Sequence, residues 1–308
     1  MKSVAKSETS LKEFDSLATN WIQFAQVSTS SRLAYQKGIK RFKEYCTDNR
    51  ISTPTRADLI LYREFLGMKY QATTANLYLT AAKLFFDFLY VEGYIEKNPC
   101  ERLKGFKVSS EHKKSALSVE MTKTVMKHFN TSTLAGLRDK AIYALMTACG
   151  LRCIEVVRAN ISDLEQINGV YRLHVQGKGH TQKDNAVNVP AGVVKLIADY
   201  LKRRGAVKAD SPLFASISRR NFGGRLSTFS VSRIIKTALR QSNFDSPRLT
   251  AHSLRHTCCT VALKNGATLR ECQQLLRHVN IAVTTIYLHE LNALENQAST
   301  LAARAFGF

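Results

Sequence analysis

Along the first third of the chain apolar residues return at helical spacing. Leu11, Phe14, Leu17, Trp21, Ile22 and Phe24 recur at close to helical period, and later stretches repeat the pattern. The spacing predicts helices near 10–27, 31–49, 55–69 and 73–92, with Ser and Thr clusters ahead of the second and fourth serving as N-caps. Helices of this kind bury their apolar stripes against one another as a small bundle. The pattern stops at Gly93. Residues 98–116, NPCERLKGFKVSSEHKKSA, combine a proline, a glycine, serines and many lysines, which reads as an exposed linker between domains.

A second domain begins at Leu117, its first helix opened by Ser118 in the run SVEM. One stretch beyond it alternates like strands: VYRLHVQ, then the polar turn GKGHTQKDN, then AVNVP, which predicts a β-hairpin. The remainder returns to helical periodicity. The expected chain is therefore mainly α, with a helical bundle over 1–97, a linker over 98–116, and a mixed, mostly helical domain with a small β-sheet over 117–308. Beyond residue 290, Leu291, Leu294, Ala298, Leu301, Ala302 and Ala305 form an apolar stripe that ends in Phe306 and Phe308.

Composition narrows the function. The 308 residues contain no apolar run long enough to span a bilayer, and the opening MKSVAKSETSLKEFD lacks a secretory signal, so a cytosolic protein is expected. Seven cysteines in an odd set, without metal-ligand spacing, read as small buried hydrophobes. Lys plus Arg number 45 against 24 Asp plus Glu, a net charge of +21 spread along the chain. A globular polycation of this kind calls for nucleic acid, because neutralising phosphates releases counterions. A membrane surface fits less well, since no helix gathers its Lys and Arg opposite an apolar face. Candidate DNA contacts are Arg32, Lys40 and Arg41 on the second helix, Lys83 on the fourth, and Arg233 and Lys236 in TFSVSRIIKTALRQSN, a helix suited to the major groove. Each also fits a merely solvated basic face.

Four places carry candidate chemistry. In ACGLRCIEVVR, Gly150 breaks a helix just before Arg152, and Glu155 follows three residues along the same helical face, where it can pin the arginine. Lys178 stands between Gly177 and Gly179 in the hairpin turn, on a loop flexible enough to reach a ligand. His252, Arg255 and His256 open an amphipathic helix, so that cations crowd an end where the macrodipole favours an anion. His278 and Tyr287 come last, the tyrosine being either core or nucleophile.

Taken in order within a basic chain, these residues resemble the tyrosine recombinase family, which includes phage integrases and Xer recombinases. The likeness rests on GLRCIE at 150–155, GKG at 177–179, HSLRHT at 252–257, LLRH at 275–278 and TTIYLH at 284–289. It extends over nearly the whole chain, since the N-terminal bundle also resembles that family's SAM-like core-binding domain. Arg277 departs from it, standing where the family usually has glycine, and Cys258 and Cys259 fill positions that are usually apolar.

The resemblance implies a C-shaped clamp around double-stranded DNA and a phosphoryl-transfer site. Arg152 and Arg255 would grip the scissile phosphate through their fixed guanidinium forks, and Tyr287 would attack phosphorus to form a 3′-phosphotyrosyl link that needs no ATP to reseal. Lys178 would protonate the departing sugar oxygen, His252 and His278 would position the phosphate, and Glu155 would orient the cluster. Neither metal nor other cofactor is implied, because the cations supply the charge that magnesium gives elsewhere. Strand exchange through a Holliday junction implies a homotetramer on two DNA sites. The segment 291–308 would then dock on a neighbour, or else fold against its own domain. A type IB topoisomerase-like DNA relaxing enzyme and a non-catalytic DNA-binding regulator are the alternatives; the terminal apolar stripe speaks against the first and the complete set of polar residues against the second.

Overall fold

In the computed structural model, which describes residues 11–108, 115–177, 179–295 and 297–307, contacts divide the chain into two units, Met1–Glu111 and His112–Phe308. The first holds α1 (Leu11–Phe24), α2 (Thr29–Asp48), α3 (Arg56–Lys69) and α4 (Ala72–Val91), within a few residues of the helices that the periodicity predicts. Ser28 caps α2 by accepting the Ser31 N–H, and Thr55 and Asp58 cap α3 reciprocally. The cap expected ahead of α4 is not made: that helix starts behind Gln71, leaving Thr73 and Thr74 inside its first turn.

Gly38 brings α2 against α4, because a Cβ at this position would lie 2.6 Å from the Ala81 Cβ. Aromatic rings fill the space between the helices. Phe42 meets Tyr62 and Phe86 edge-on at 4.9 and 5.5 Å, and Phe85 meets Phe14 at 4.9 Å.

Residues 98–106 differ from the exposed linker that their composition suggests. They are strapped onto the bundle, with Cys100 and Leu103 entering its core. Asn76 pairs with both the N–H and the carbonyl of Phe106, and Arg63 donates to the Lys104 carbonyl at 2.7 Å while lying over the Phe106 ring. Lys83, expected to face DNA, donates to the Leu103 carbonyl at 2.8 Å. Residues 109–114 of that stretch lie outside the described residues.

The second unit is built around α6 (Leu134–Cys149), whose Ile142, Tyr143, Leu145 and Met146 are fully buried against α8 (Ala191–Arg204) and α10 (Ala251–Lys264). Around these lie α5 (Val119–His128), α7 (Cys153–Arg158), α9 (Thr228–Gln241), α11 (Leu269–Leu276), α12 (Ala282–Glu295) and α13 (Ala298–Phe306). The expected hairpin is present as β2 (Val170–Val175) and β3 (Asn185–Asn188), but a further strand, β1 (Leu164–Ile167), completes an antiparallel sheet in the order β1-β2-β3. Leu173 stands opposite both Leu164 and Val187 and points into the core. Among the described residues no helix is long and apolar enough to cross a membrane.

Candidate active site

Three chain reversals converge on one carboxylate. The first is Gly150, which closes α6 in the left-handed region at φ +58; a Cβ there would come within 2.6 Å of Leu276 Cδ2, so both conformation and space demand glycine. The turn sets Arg152 just ahead of α7. Glu155, in the first turn of that helix, reaches back and accepts the Arg152 backbone N–H at 2.8 Å and its Nη1 at 2.9 Å. Arg152 thus precedes the helix instead of sharing a face with Glu155, and the pair is held by capping geometry.

The second reversal is Arg277, which follows α11 at φ 53 and ψ 46. For a side chain other than glycine this conformation costs roughly 1–2 kcal/mol. Its Nη2 donates to Glu155 Oε2 at 2.8 Å. The third is the turn into α10, which places Arg255 1% exposed. The Arg255 Nη1 donates to the Gly150 carbonyl and its Nη2 to the Leu276 carbonyl. These carbonyls belong to the C-terminal ends of α6 and α11, where unpaired carbonyls and the negative end of the macrodipole favour a cation.

Tyr287 closes the site from α12. It is 2% exposed, with its ring 4.7 Å from that of His256 and nearly parallel to His278 at 6.4 Å. Cys259, Cys272 and Leu276 pack around it. His278 Nδ1 hydrogen-bonds the Thr284 hydroxyl at 2.8 Å, which ties the loop before α12 to the helix's first turn. His252 lies exposed on α10, close enough for its charge to act on His278. Arg152, Glu155, His252, Arg255, His278 and Tyr287 are thus brought together, while Lys178 lies outside the described residues.

Residues 116–293 match the phage integrase family, and residues 21–93 match the family's N-terminal SAM-like domain. The first match alone covers more than half of the chain. This chain belongs to the phage integrase family. A tyrosine recombinase XerD from Staphylococcus epidermidis is 27% identical over 278 residues, covering 88% of this chain and 91% of that protein. A tyrosine recombinase XerC from Chlamydia trachomatis is 30% identical over 244 residues, covering 79% of this chain and 75% of the relative. Among solved structures, XerH recombinase in a post-cleavage complex with a palindromic difH substrate shares the fold at a TM-score of 0.73 and 18% identity, covering 97% of this chain and 85% of that one. A lambda integrase tetramer bound to a Holliday junction shares it at 0.68 and 16%, covering 92% and 78%.

In this family member the electrostatics of the site are one-sided. Burial raises the Glu155 carboxyl, but the charge and hydrogen bonds of Arg277, then those of Arg152, outweigh burial and hold it below its ordinary value. Burial, then the Arg152 and Arg277 charges, lower the Arg255 guanidinium. Burial, then the charges of Arg255, Arg152 and Arg277, push His278 down to about 4, so its imidazole is neutral near pH 7. Among the described residues one buried carboxylate, Glu155, faces Arg152, Arg255 and Arg277, which leaves the site rich in positive charge.

Arg158 Nη1 donates to the carbonyl of Gly177, the residue before Lys178, at 2.8 Å and so anchors the hairpin from α7. Of the candidate DNA contacts, Lys40 and Arg233 are exposed, the latter over the Phe229 ring. Arg41 is paired with Glu44 and the Tyr70 hydroxyl, and Lys236 with Asp245 and the Ser246 carbonyl. Arg32 donates to the Ala25 carbonyl at 3.4 Å. The usually apolar positions held by Cys258 and Cys259 are buried here too, and Cys258 Sγ donates to the Ala148 carbonyl at 3.3 Å.

Proposed function

We propose that this protein is a site-specific DNA recombinase that cuts and rejoins strands through Tyr287. The observation that carries the reading is the cluster of Arg152, Arg255 and Arg277 around Glu155, the one buried carboxylate there among the described residues, with Tyr287 beside it. A scissile phosphate satisfies that imbalance. Arg152, whose side chain is 33% exposed, and Arg255 bind its non-bridging oxygens and stabilise the charge that grows in the pentacoordinate transition state. The Tyr287 Oη attacks phosphorus as its phenolic proton passes to His252, a phosphotyrosyl bond forms, and the bond to the sugar 5′ oxygen breaks. Lys178 delivers the proton to that leaving oxygen, while His252 and neutral His278 hydrogen-bond the phosphate. The reverse attack by a 5′-hydroxyl of the partner strand restores the phosphodiester and frees the tyrosine, with no net energy input.

The direct test uses a nicked suicide duplex built from the DNA flanking the gene, incubated in EDTA. A covalent protein–DNA adduct should accumulate, with the DNA mapped by peptide mass spectrometry to Tyr287. An adduct on another residue, or a strict magnesium requirement for cleavage, contradicts the mechanism. Relaxation of a plasmid that lacks any paired site would favour the topoisomerase reading instead.

The enzyme would work in the cytoplasm on double-stranded DNA, as a homotetramer on two sites. The terminal segment supports this assembly: α13 leaves Leu301 58% and Phe306 74% exposed, an apolar surface that a neighbour can cover. Phe308 lies outside the described residues, as do the side chains of Leu291 and Leu294. Passing 291–308 from each subunit to the next closes a ring. Deleting 291–308 is expected to leave one-site binding within about threefold while abolishing cooperative binding to a two-site DNA in gel-shift titration. Unchanged cooperativity would instead dock the segment within its own chain.

A further inference from the structure

We propose that Arg277 is a positioning residue: it is the main counterion of Glu155, and by holding that buried carboxylate in its charged form it keeps Arg152 placed with its guanidinium towards the phosphate. The inference rests on the recombinase reading and deepens it. An arginine in the left-handed conformation after α11 is strained where glycine would not be, so its side chain has to account for its presence. That side chain is 7% exposed and folds back onto the cluster. Nη2 donates to Glu155 Oε2 at 2.8 Å and Nε lies 3.4 Å from Oε1, while Nη1 and Nη2 reach the Leu275 and Gly150 carbonyls at 2.6 and 3.3 Å.

Glu155, 1% exposed, needs its charge fully compensated at this depth. Its two oxygens divide the task. Oε2 takes the Arg152 backbone N–H and Arg277 Nη2, and Oε1 takes Arg152 Nη1 at 2.9 Å. Arg277 therefore supplies a cation that is committed entirely to the carboxylate and to helix-end carbonyls. Arg152 keeps one guanidinium nitrogen on Glu155 and retains an exposed portion for a ligand. Without Arg277, Arg152 would be the one direct ion-pair partner left to Glu155 among the described residues, and the under-compensated carboxylate would give up its charge more readily and with it its hold on Arg152.

Among the described residues the charged groups facing Glu155 are Arg152 at the start of α7, Arg277 after α11 and Arg255 from α10. With all in place Glu155 stays ionised well below neutral pH. In Arg277→Gly, burial is opposed by fewer charges, so the Glu155 carboxyl moves up and takes on its proton at a higher pH than in the parent protein. Protonation removes the acceptor for the Arg152 N–H and guanidinium. The acid limb of the cleavage profile then shifts to higher pH.

The competing explanation is that Arg277 merely caps α11. Glycine would serve that purpose as well or better, so the two readings predict opposite outcomes for one variant. Single-turnover cleavage of the suicide duplex would be followed from pH 5 to 8, together with thermal melting and gel-shift affinity. Arg277→Gly is expected to melt no earlier than the parent and to bind DNA normally. Its cleavage should fall about tenfold to a hundredfold at pH 7, with an acid limb raised by about one pH unit. A parental rate and profile in that variant overturns the proposal. Should the glycine variant melt early, Arg277→Lys and Arg277→Gln, which keep the same backbone strain, decide it: faster cleavage and a lower acid limb for lysine support the counterion role, and equal behaviour overturns it. Absence of any adduct in the parent protein would remove the recombinase reading and this one with it.

Discussion

Arg255→Ala is expected to lower the single-turnover cleavage rate by about a thousandfold or more and to destabilise the second unit as well. The rate effect follows from removing a fixed guanidinium from a transition state that gains negative charge, where one lost donor costs roughly 10²–10³ in rate. The stability effect comes from the ground state. Arg255 is 1% exposed and bridges the carbonyls of Gly150 and Leu276, so alanine strips this donor from the Leu276 carbonyl, leaves the Gly150 carbonyl with Arg277 Nη2 at 3.3 Å, and opens a cavity between the ends of α6 and α11. Each unpaired buried acceptor costs about 1–3 kcal/mol. Arg255→Lys separates the two effects, since an ammonium keeps the charge but lacks the fork that spans both carbonyls. Lysine should recover more melting temperature than cleavage. Full cleavage by the alanine variant, measured as adduct formed per enzyme on the suicide duplex, would remove Arg255 from the mechanism.

Much of this architecture was legible in the spacing of side chains, and the gaps have physical causes. The N-terminal helices could be read because their stripes bury aromatic rings such as Phe14, Phe42 and Phe85 at a regular period. β1 escaped detection because Glu165, Gln166 and Ile167 are all exposed, which removes the alternation that marks a half-buried strand. Its signal lay instead in Asn168–Gly169, both at positive φ as a tight hairpin turn requires. The strap over 98–106 misled by composition: its backbone groups pair with Arg63, Asn76 and Lys83 on the bundle, while Glu101, Arg102 and Lys104 stay exposed. In the site, residue types and order could be read, but the manner of their assembly could not. Glu155 reaching back to Arg152 depends on where α7 starts, and the convergence of Gly150, Leu276 and Arg255 depends on helices far apart in sequence. Arg277 was visible only as a departure from glycine, and its meaning emerged once its carboxylate partner lay 122 residues away along the chain and 2.8 Å away in space.

Tyr287→Phe is expected to abolish the covalent adduct altogether while leaving DNA affinity within about tenfold, because one hydrogen bond contributes about 0.5–1.5 kcal/mol. The substitution suits the site. Phenylalanine keeps the ring that packs beside His256 and His278 and against Cys259, Cys272 and Leu276, so the walls of the cluster are retained and only the nucleophilic oxygen goes. The other tyrosines of the second unit offer no replacement. The Tyr143 hydroxyl lies against the Thr122 carbonyl in the core, where burial pushes it up to about 12, and the Tyr200 hydroxyl accepts the Ala215 N–H. Tyr171 lies on β2, paired across the sheet with Gln166. Tyr287 alone among them has its charge felt by Arg255, the buried arginine at the centre of the cluster. An adduct persisting in the phenylalanine variant would therefore require a nucleophile of another chemical type, and mapping the DNA-bearing peptide would identify it. A variant that loses the adduct but also loses binding by orders of magnitude would mean that the hydroxyl holds the fold of the site, and the assignment of Tyr287 as nucleophile would fall.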